Sequence, residues 1–263
     1  MIGVFDSGLG GLTALRELTA LLPREDIVYF GDTGRVPYGS KSPETIIRYS
    51  MQDMSFLMTF GVDAVLVACG TASSTALDAL KERFSVPVFG VIDAAAEAAV
   101  RTTKNGRIGV IGTATTIKSG AFPKSIRSLD SSIETVETAC PLFVHLVEDG
   151  FTAPGDEVTR AAAKRYLSPL RDSGIDTLIL GCTHYPIISH AIAEVLPGVT
   201  LISSGKAAAE KLAATVRNSG KTGGDGIIRC FVSDAPDSFE SSAHIFMGDI
   251  RLGRAELIDI SKY

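Results

Sequence analysis

Short apolar runs bounded by polar turns alternate along this chain with segments whose apolar residues recur every three or four positions. IGVFDS opens it. GGLTALRELTALLP follows, with Leu12, Leu15, Leu18 and Leu22 on or near one face and Pro23 as a stop. DIVYFGD reads as a strand ending in a polar loop. SPETIIRYSMQDMSFLMTFG predicts a helix with Ser42 as N-cap, Pro43 at the first helical position and Gly61 beyond its end. DAVLVAC is a buried strand, TASSTALDALKERF a helix and VPVFGVI a strand again. The pattern restarts at RIGVIGT and continues with a helix near 118–129, a strand at IETVETA and a long helical stretch between 152 and 173. DTLILGC, a helix around PIISHAIAEVL, and VTLISS come next. A helix (KAAAEKLAATVRNS), a strand (IIRCFVS), a helix (APDSFESSAHIFM) and a last short strand complete the series. Such alternation predicts an α/β fold of mainly parallel sheets flanked by helices.

The series contains an internal repeat. MIGVFDS matches RIGVIGT, aligning Gly3 with Gly109, Asp6 with Gly112 and Ser7 with Thr113. GVDAVLVACGTAS matches GIDTLILGCTHYP, aligning Gly61 with Gly174, Asp63 with Asp176, Cys69 with Cys182 and Thr71 with His184. Two similar halves follow. Each presents a thiol just past the carboxyl end of a parallel strand, where open α/β sheets bind ligands.

Composition narrows the function classes. The 263 residues suffice for one large domain or two modest ones, and 45% apolar with 21% charged residues is ordinary for a globular chain. A net charge of −5 argues against nucleic acid as the primary ligand. No apolar segment approaches the roughly 20 residues of a membrane span. MIGVFDSGLGG lacks a basic n-region, so it reads as a first strand, and the cytoplasm is the expected location. The cysteines Cys69, Cys140, Cys182 and Cys230 form no C-x-x-C pair, so reduced thiols and no metal site are expected.

If the two halves face one cleft, Cys69 and Cys182 meet across it, and a ligand between them has one thiol on each side. That arrangement suits inversion at a carbon with a removable proton: a thiolate takes the proton on one face and a thiol delivers one on the other. Ordinary thiols titrate near ~8.5, so a small shift makes one a usable base. Asp6 ends the first strand of the first half and can hydrogen-bond a nearby acid or an ammonium group, His184 sits two residues past Cys182, and the polar residues after each cysteine supply amides and hydroxyls for a carboxylate. Cys140 and Cys230 lack this setting and read as structural. The loop DSGLGG offers Gly8 and Gly10 to a dinucleotide fingerprint but has Thr13 at the third glycine position. It reads better as a tight strand-to-helix turn. No lysine context marks a pyridoxal phosphate site, and no G-x-S-x-G elbow marks a serine hydrolase.

The segments IGVFDSGLGGLT, GDTGRVPYGSKS, VACGTAS, IGVIGTATTIKSGAF, ACPLFVHLVEDG and LGCTHYP together resemble the glutamate racemases of the cofactor-independent amino-acid racemase superfamily. The resemblance runs from end to end. It implies two α/β domains, 1–93 completed by 206–263 and 94–205, with the active site in the cleft between them. It implies no cofactor, and Cys69 and Cys182 as paired acid/base thiols, with Asp6 and His184 as further catalytic residues. It places Asp6, Ser7, Pro37, Tyr38, Gly39, Gly70, Thr71, Thr183 and His184 at a glutamate site, with Thr116 and Glu148 as further candidates. It also implies D-glutamate supply for peptidoglycan, and it leaves a homodimer open. Racemisation of aspartate or another acidic amino acid, and ligand binding without turnover, are the alternatives. Three positions depart from the family. Gly70 stands where Asn is usual, which removes a side-chain donor and implies open space beside the first thiol. His145 stands where proline is commoner, and Gly34 where alanine is.

Overall fold

The computed structural model describes residues 1–218 and 223–263. The last residue of the expected helix KAAAEKLAATVRNS, Ser219, lies outside the described residues. Strands β1 (Ile2–Asp6), β2 (Ile27–Gly31), β3 (Ala64–Val67) and β4 (Val88–Gly90) belong to one sheet. Strands β5 (Arg107–Gly112), β6 (Glu134–Ala139), β7 (Thr177–Leu180) and β8 (Thr200–Ser203) form another. The C-terminal strands β9 (Ile228–Val232) and β10 (Ala255–Leu257) return to the first sheet, outside β2. The orders are β10-β9-β2-β1-β3-β4 and β6-β5-β7-β8. Every strand pair among the described residues is parallel, so the expected α/β class holds.

The internal repeat of the sequence is a repeat of topology. Within each half the first strand is flanked by the second on one side and the third on the other. That is the point where an open parallel sheet leaves a crevice at its carboxyl edge. β1 sits in register with β3, Phe5 opposite Val67; β5 sits with β7, Ile111 opposite Leu180. These central strands are buried along their whole length except Arg107 at the start of β5. Burial on both faces is why their sequences are continuous apolar runs instead of alternating ones.

Helices join the halves. Leu12–Leu21, Ser204–Asn218, Val91–Thr102 and Ala121–Leu129 pack side by side in that order, carrying one core cluster from the first sheet to the second. The two middle helices pack on each other and are rich in small residues, among them Ala95, Ala99, Ala208 and Ala209, all fully buried. Side chains this small let helix axes approach closely. The chain crosses between sheets within these same two helices, so the expected borders at 93/94 and 205/206 fall inside helices. No helix among the described residues is long and apolar enough to cross a membrane.

Local expectations fare unevenly. Ser42 caps the helix Pro43–Met58, its hydroxyl accepting from the Thr45 amide at 3.3 Å, with Pro43 at the first position. The expected helix near 118–129 is instead two, Ala114–Ser119 and Ala121–Leu129, parted by Gly120 in the left-handed region at φ 62°. VPVFGVI keeps only three strand residues because a helix begins at Val91.

On the outer face of the first sheet, Phe56 is the hub of an aromatic cluster. Its ring lies 5.3 Å from Phe30, 5.2 Å from Phe60, 5.3 Å from Phe231 and 5.2 Å from Tyr263. The C-terminal segment is thereby packed onto the N-terminal sheet. Phe56→Ala should lower the unfolding free energy by about 3–5 kcal/mol, as measured by urea denaturation; a loss under about 1 kcal/mol would contradict this packing.

Candidate functional site

The carboxyl edges of the two sheets enclose a cavity of about 190 Å³. Asp6 and Ser7 reach it from the end of β1, Cys69, Gly70 and Thr71 from the end of β3, and Cys182, Thr183 and His184 from the end of β7. Pro37, Tyr38 and Gly39 enter on a turn after β2. These eleven expected residues therefore meet in one place. Thr116 and Glu148, also expected there, do not line it: each stands one hydrogen bond behind a lining residue. Cys140 and Cys230 are buried away from it.

The first thiol is not the last residue of a strand. β3 stops at Val67, and Cys69 is the N-cap of the short helix Gly70–Thr75, its sulfur accepting from the Ala72 amide at 3.5 Å. The Cys69 thiol also donates to the Ser7 hydroxyl, Sγ to Oγ 3.4 Å. Burial, then the neighbouring Asp6 carboxylate, push the Cys69 thiol up to about 12, against the smaller opposing effects of Ser7 and the Ala72 amide. Cys69 is therefore a thiol at neutral pH. Asp6 is itself raised by burial, opposed by the charge of His184 and by amides of its own loop, including Gly8 at 3.0 Å.

The second thiol has a different neighbour. Cys182 Sγ lies 3.7 Å from His184 Nδ1, and His184 Nε2 lies 2.9 Å from Glu148 Oε1. Burial alone would lower the imidazole. The hydrogen bonds and charges of Cys182 and Glu148 outweigh it and bring His184 up to about 10. Glu148 is lowered in turn: burial opposes, but the His184 hydrogen bond and charge prevail. An imidazolium held by a carboxylate thus stands beside the second sulfur. Glu148, which without the family resemblance reads as a solvated carboxylate, is half-buried and orients the histidine.

Close approach across the cleft depends on glycines. A Cβ at Gly10 would overlap the His184 ring, so the loop DSGLGG is glycine-rich where the second half's histidine rests against it. Thr13, the residue that spoils the dinucleotide fingerprint, donates to the Thr183 carbonyl at 2.9 Å and pins the second thiol's loop to the first half. The space beside Gly70 is not open, contrary to expectation. A Cβ there would overlap the Gly181 carbonyl oxygen, so the backbones before and after the two thiols touch directly.

A chain of three hydroxyls also crosses the cleft: Thr71 to Thr113 at 3.0 Å, and Thr113 to Thr116 at 3.0 Å. Thr113 caps the helix Ala114–Ser119 and lines the cavity. Sequence reasoning omitted it, although the repeat had aligned it with Ser7. Gly181 was omitted as well. His145, noted only as a departure from the family, lines the cavity's exposed rim.

The comparisons with known proteins agree with this geometry. A family profile described as Asp/Glu/Hydantoin racemase matches residues 12–212. A protein of Persephonella marina named glutamate racemase is 48% identical over 260 residues, covering 98% of each chain. The crystal structure of a glutamate racemase isoform from Bacillus anthracis superposes with a TM-score of 0.93 at 38% identity, covering 98% of this chain and 97% of that one. A glutamate racemase from Francisella tularensis, solved in complex with D-glutamate, superposes with a TM-score of 0.92 at 38% identity, covering 100% and 98%.

Two measurements test the geometry. By NMR, His184 should stay charged below about pH 10 and lose its proton as pH rises through that value. Glu148→Gln keeps an acceptor but removes the charge, so the titration should move to lower pH; an unmoved curve would separate Glu148 from His184. Gly70→Asn should lower thermal stability by about 1–3 kcal/mol, because the added atoms force the Gly181 backbone away. Unchanged stability would show that the contact yields freely.

Proposed function

This chain belongs to the Asp/Glu/hydantoin racemase family, and from that premise we propose that it interconverts L- and D-glutamate with Cys69 and Cys182 as acid and base. It is an isomerase of the glutamate racemase kind, and supply of D-glutamate for peptidoglycan is the role that goes with this activity. The observation that carries the assignment of the thiols is their placement. Each lies two residues past the third strand of one half of a repeat, and both open on one small cavity between the sheets.

In the resting cavity Cys69 is the thiol that delivers a proton, and Cys182, beside the His184 imidazolium, is placed to take one. Cys182 thiolate accepts the α-proton on one face, the electron pair left on carbon delocalises into the α-carboxylate, and Cys69 protonates the opposite face. One turnover leaves Cys69 as thiolate and Cys182 as thiol, which is the starting state for the reverse reaction. Cys69 needs help to act as base, since burial and Asp6 hold its proton; the substrate's ammonium group is the cation that offsets them. Ser7, Thr71, Thr183 and the backbone amides beside Gly70 supply donors for the carboxylates, and Thr113 joins them. Thr116 and Glu148 hold Thr113 and His184 in place.

The division into 1–93 with 206–263 and 94–205 is part of the same reading, supported by sheet membership, with the two shared helices as the connection between the halves. Cytoplasmic location fits the substrate and the expected reduced thiols. Assembly as a homodimer is compatible with this reading and is not required by the cavity, which one chain lines.

Incubation of L-glutamate with the protein in deuterated water should give racemic glutamate carrying α-deuterium, followed by polarimetry and NMR. Neither exchange nor racemisation by folded protein, or a clear preference for aspartate, would overturn the assignment. Cys69→Ser and Cys182→Ser should each reduce racemisation by at least roughly 10²–10⁴-fold, the usual worth of a positioned acid or base. Full activity in either variant would break the pairing.

A further inference from the structure

The turn that carries Pro37, Tyr38 and Gly39 into the cavity is held from behind by a buried ionisable cluster. The Tyr38 hydroxyl lies within hydrogen-bonding distance of two carboxylates at once: Asp32 Oδ2, and Asp53 Oδ2 at 2.9 Å. Both aspartates are fully buried, at 0% exposure. Asp32 accepts from Arg35 Nε at 2.6 Å on Oδ2 and from the Ser233 hydroxyl at 2.8 Å on Oδ1. Asp53 Oδ1 accepts from Arg35 Nη2 at 2.7 Å. The guanidinium also donates to Gln52 Oε1 and lies 4.1 Å above the Tyr49 ring.

The hydrogens can be counted. Tyr38 has one hydroxyl hydrogen, so it can donate to one of the two carboxylates. The other must either set a lone pair against the phenol oxygen in a buried site, which is costly, or bring a proton of its own. Asp32 has hydrogen donors on both oxygens besides Tyr38, which suits an anion. Among the described residues, Asp53 Oδ2 has Tyr38 alone. The charges count the same way: one proton on Asp53 leaves Asp32 and Arg35 to cancel, and its absence leaves an unpaired buried negative charge.

We propose that Asp53 is held as a neutral carboxylic acid that donates its proton to the Tyr38 hydroxyl oxygen, while Tyr38 donates to Asp32, and that this one-way chain fixes the turn in the cavity. Burial and the Asp32 carboxylate push Asp53 well above the usual carboxylate range, with a small further contribution from Asp6, against opposing effects of Arg35 and Tyr38. The turn's other anchor is the Gly39 carbonyl, which accepts from the Thr115 hydroxyl across the cleft at 2.6 Å. Asp53 and Arg35 do not line the cavity; they are positioning residues, acting through Tyr38.

The proposal goes beyond the racemase reading, and only its kinetic arm depends on that reading. Carbon-13 NMR of the wild-type protein, with the Asp53 carboxyl assigned through its own backbone, should show the protonated acid at pH 7. Infrared difference spectra should show a carboxylic-acid carbonyl band at pH 7 that Asp53→Asn removes. That variant swaps the acid's O–H for an N–H donor and keeps the acceptor for Arg35, so kcat and KM should stay within about twofold. Asp53→Ala breaks the chain and should raise KM about tenfold or more, with less effect on kcat. Asp32→Asn, equally conservative in shape, removes the anion and should cost as much as Asp53→Ala. An ionised Asp53 at pH 7, or Asp53→Asn as damaging as Asp53→Ala, would overturn the proposal. A protonated Asp53 in a protein without racemase activity would uphold the proton assignment and sink the racemase reading instead.

Discussion

In the proposed reaction two sulfur atoms stand on opposite sides of one carbon, and that spacing is the requirement from which the rest of the molecule is understood. A single parallel sheet delivers one thiol at its crevice and has no second crevice facing the first. Two sheets of the same strand order, turned edge to edge, deliver one each. The cleft must then be narrow, which explains where the bridging contacts fall. Gly70 lies against Gly181 and Gly10 against His184. Thr13 bonds to Thr183, Thr71 to Thr113, and Thr115 to Gly39. All of them ring the cavity. Glycine at two of these positions is the absence of an atom that would part the halves.

The halves are alike in path and unlike in charge. Near Cys69 burial, and after it a buried carboxylate, keeps the sulfur protonated. Near Cys182 it is an imidazolium backed by Glu148. The repeat positions that diverge, Asp6 from Gly112 and Thr71 from His184, are the ones that create this difference. An inversion needs both a donor and an acceptor ready at the start, and a perfectly symmetric pair of thiols would offer two of the same. The symmetry of the fold sets the geometry, and its breaking in two residues gives the two thiols unlike surroundings.

Much of this is legible in the chain. Strand–helix alternation gives the class, and the alignment of Cys69 with Cys182 gives the shared cavity, because both are properties of local runs and their repetition. Contacts between segments distant in sequence are not legible in that way. Nothing around Gly70 announces that a carbonyl more than a hundred residues away fills the space a side chain would need. Glu148 reads as a surface carboxylate until the helix Leu142–Glu148 is seen to end beside His184. Thr113 was within reach, since the repeat pairs it with Ser7. The break at Gly120 was missed because apolar periodicity runs through a glycine whose φ of 62° only the backbone reveals.

The return of β9 and β10 to the first sheet separates the order of synthesis from the order of completion. The strands of the second sheet are consecutive in the chain, so all its pairings are available once Ser203 has been made. The first sheet begins earlier, yet the outer edge of β2 stays bare until Val232 exists to cover it. An uncovered parallel edge is a template for the wrong partner, and domains emerging from a ribosome fold as units when their contacts are in hand. The half that starts the chain is therefore finished last. A nascent chain passes through a stage in which one thiol can already sit on a complete sheet while the other waits on an incomplete one.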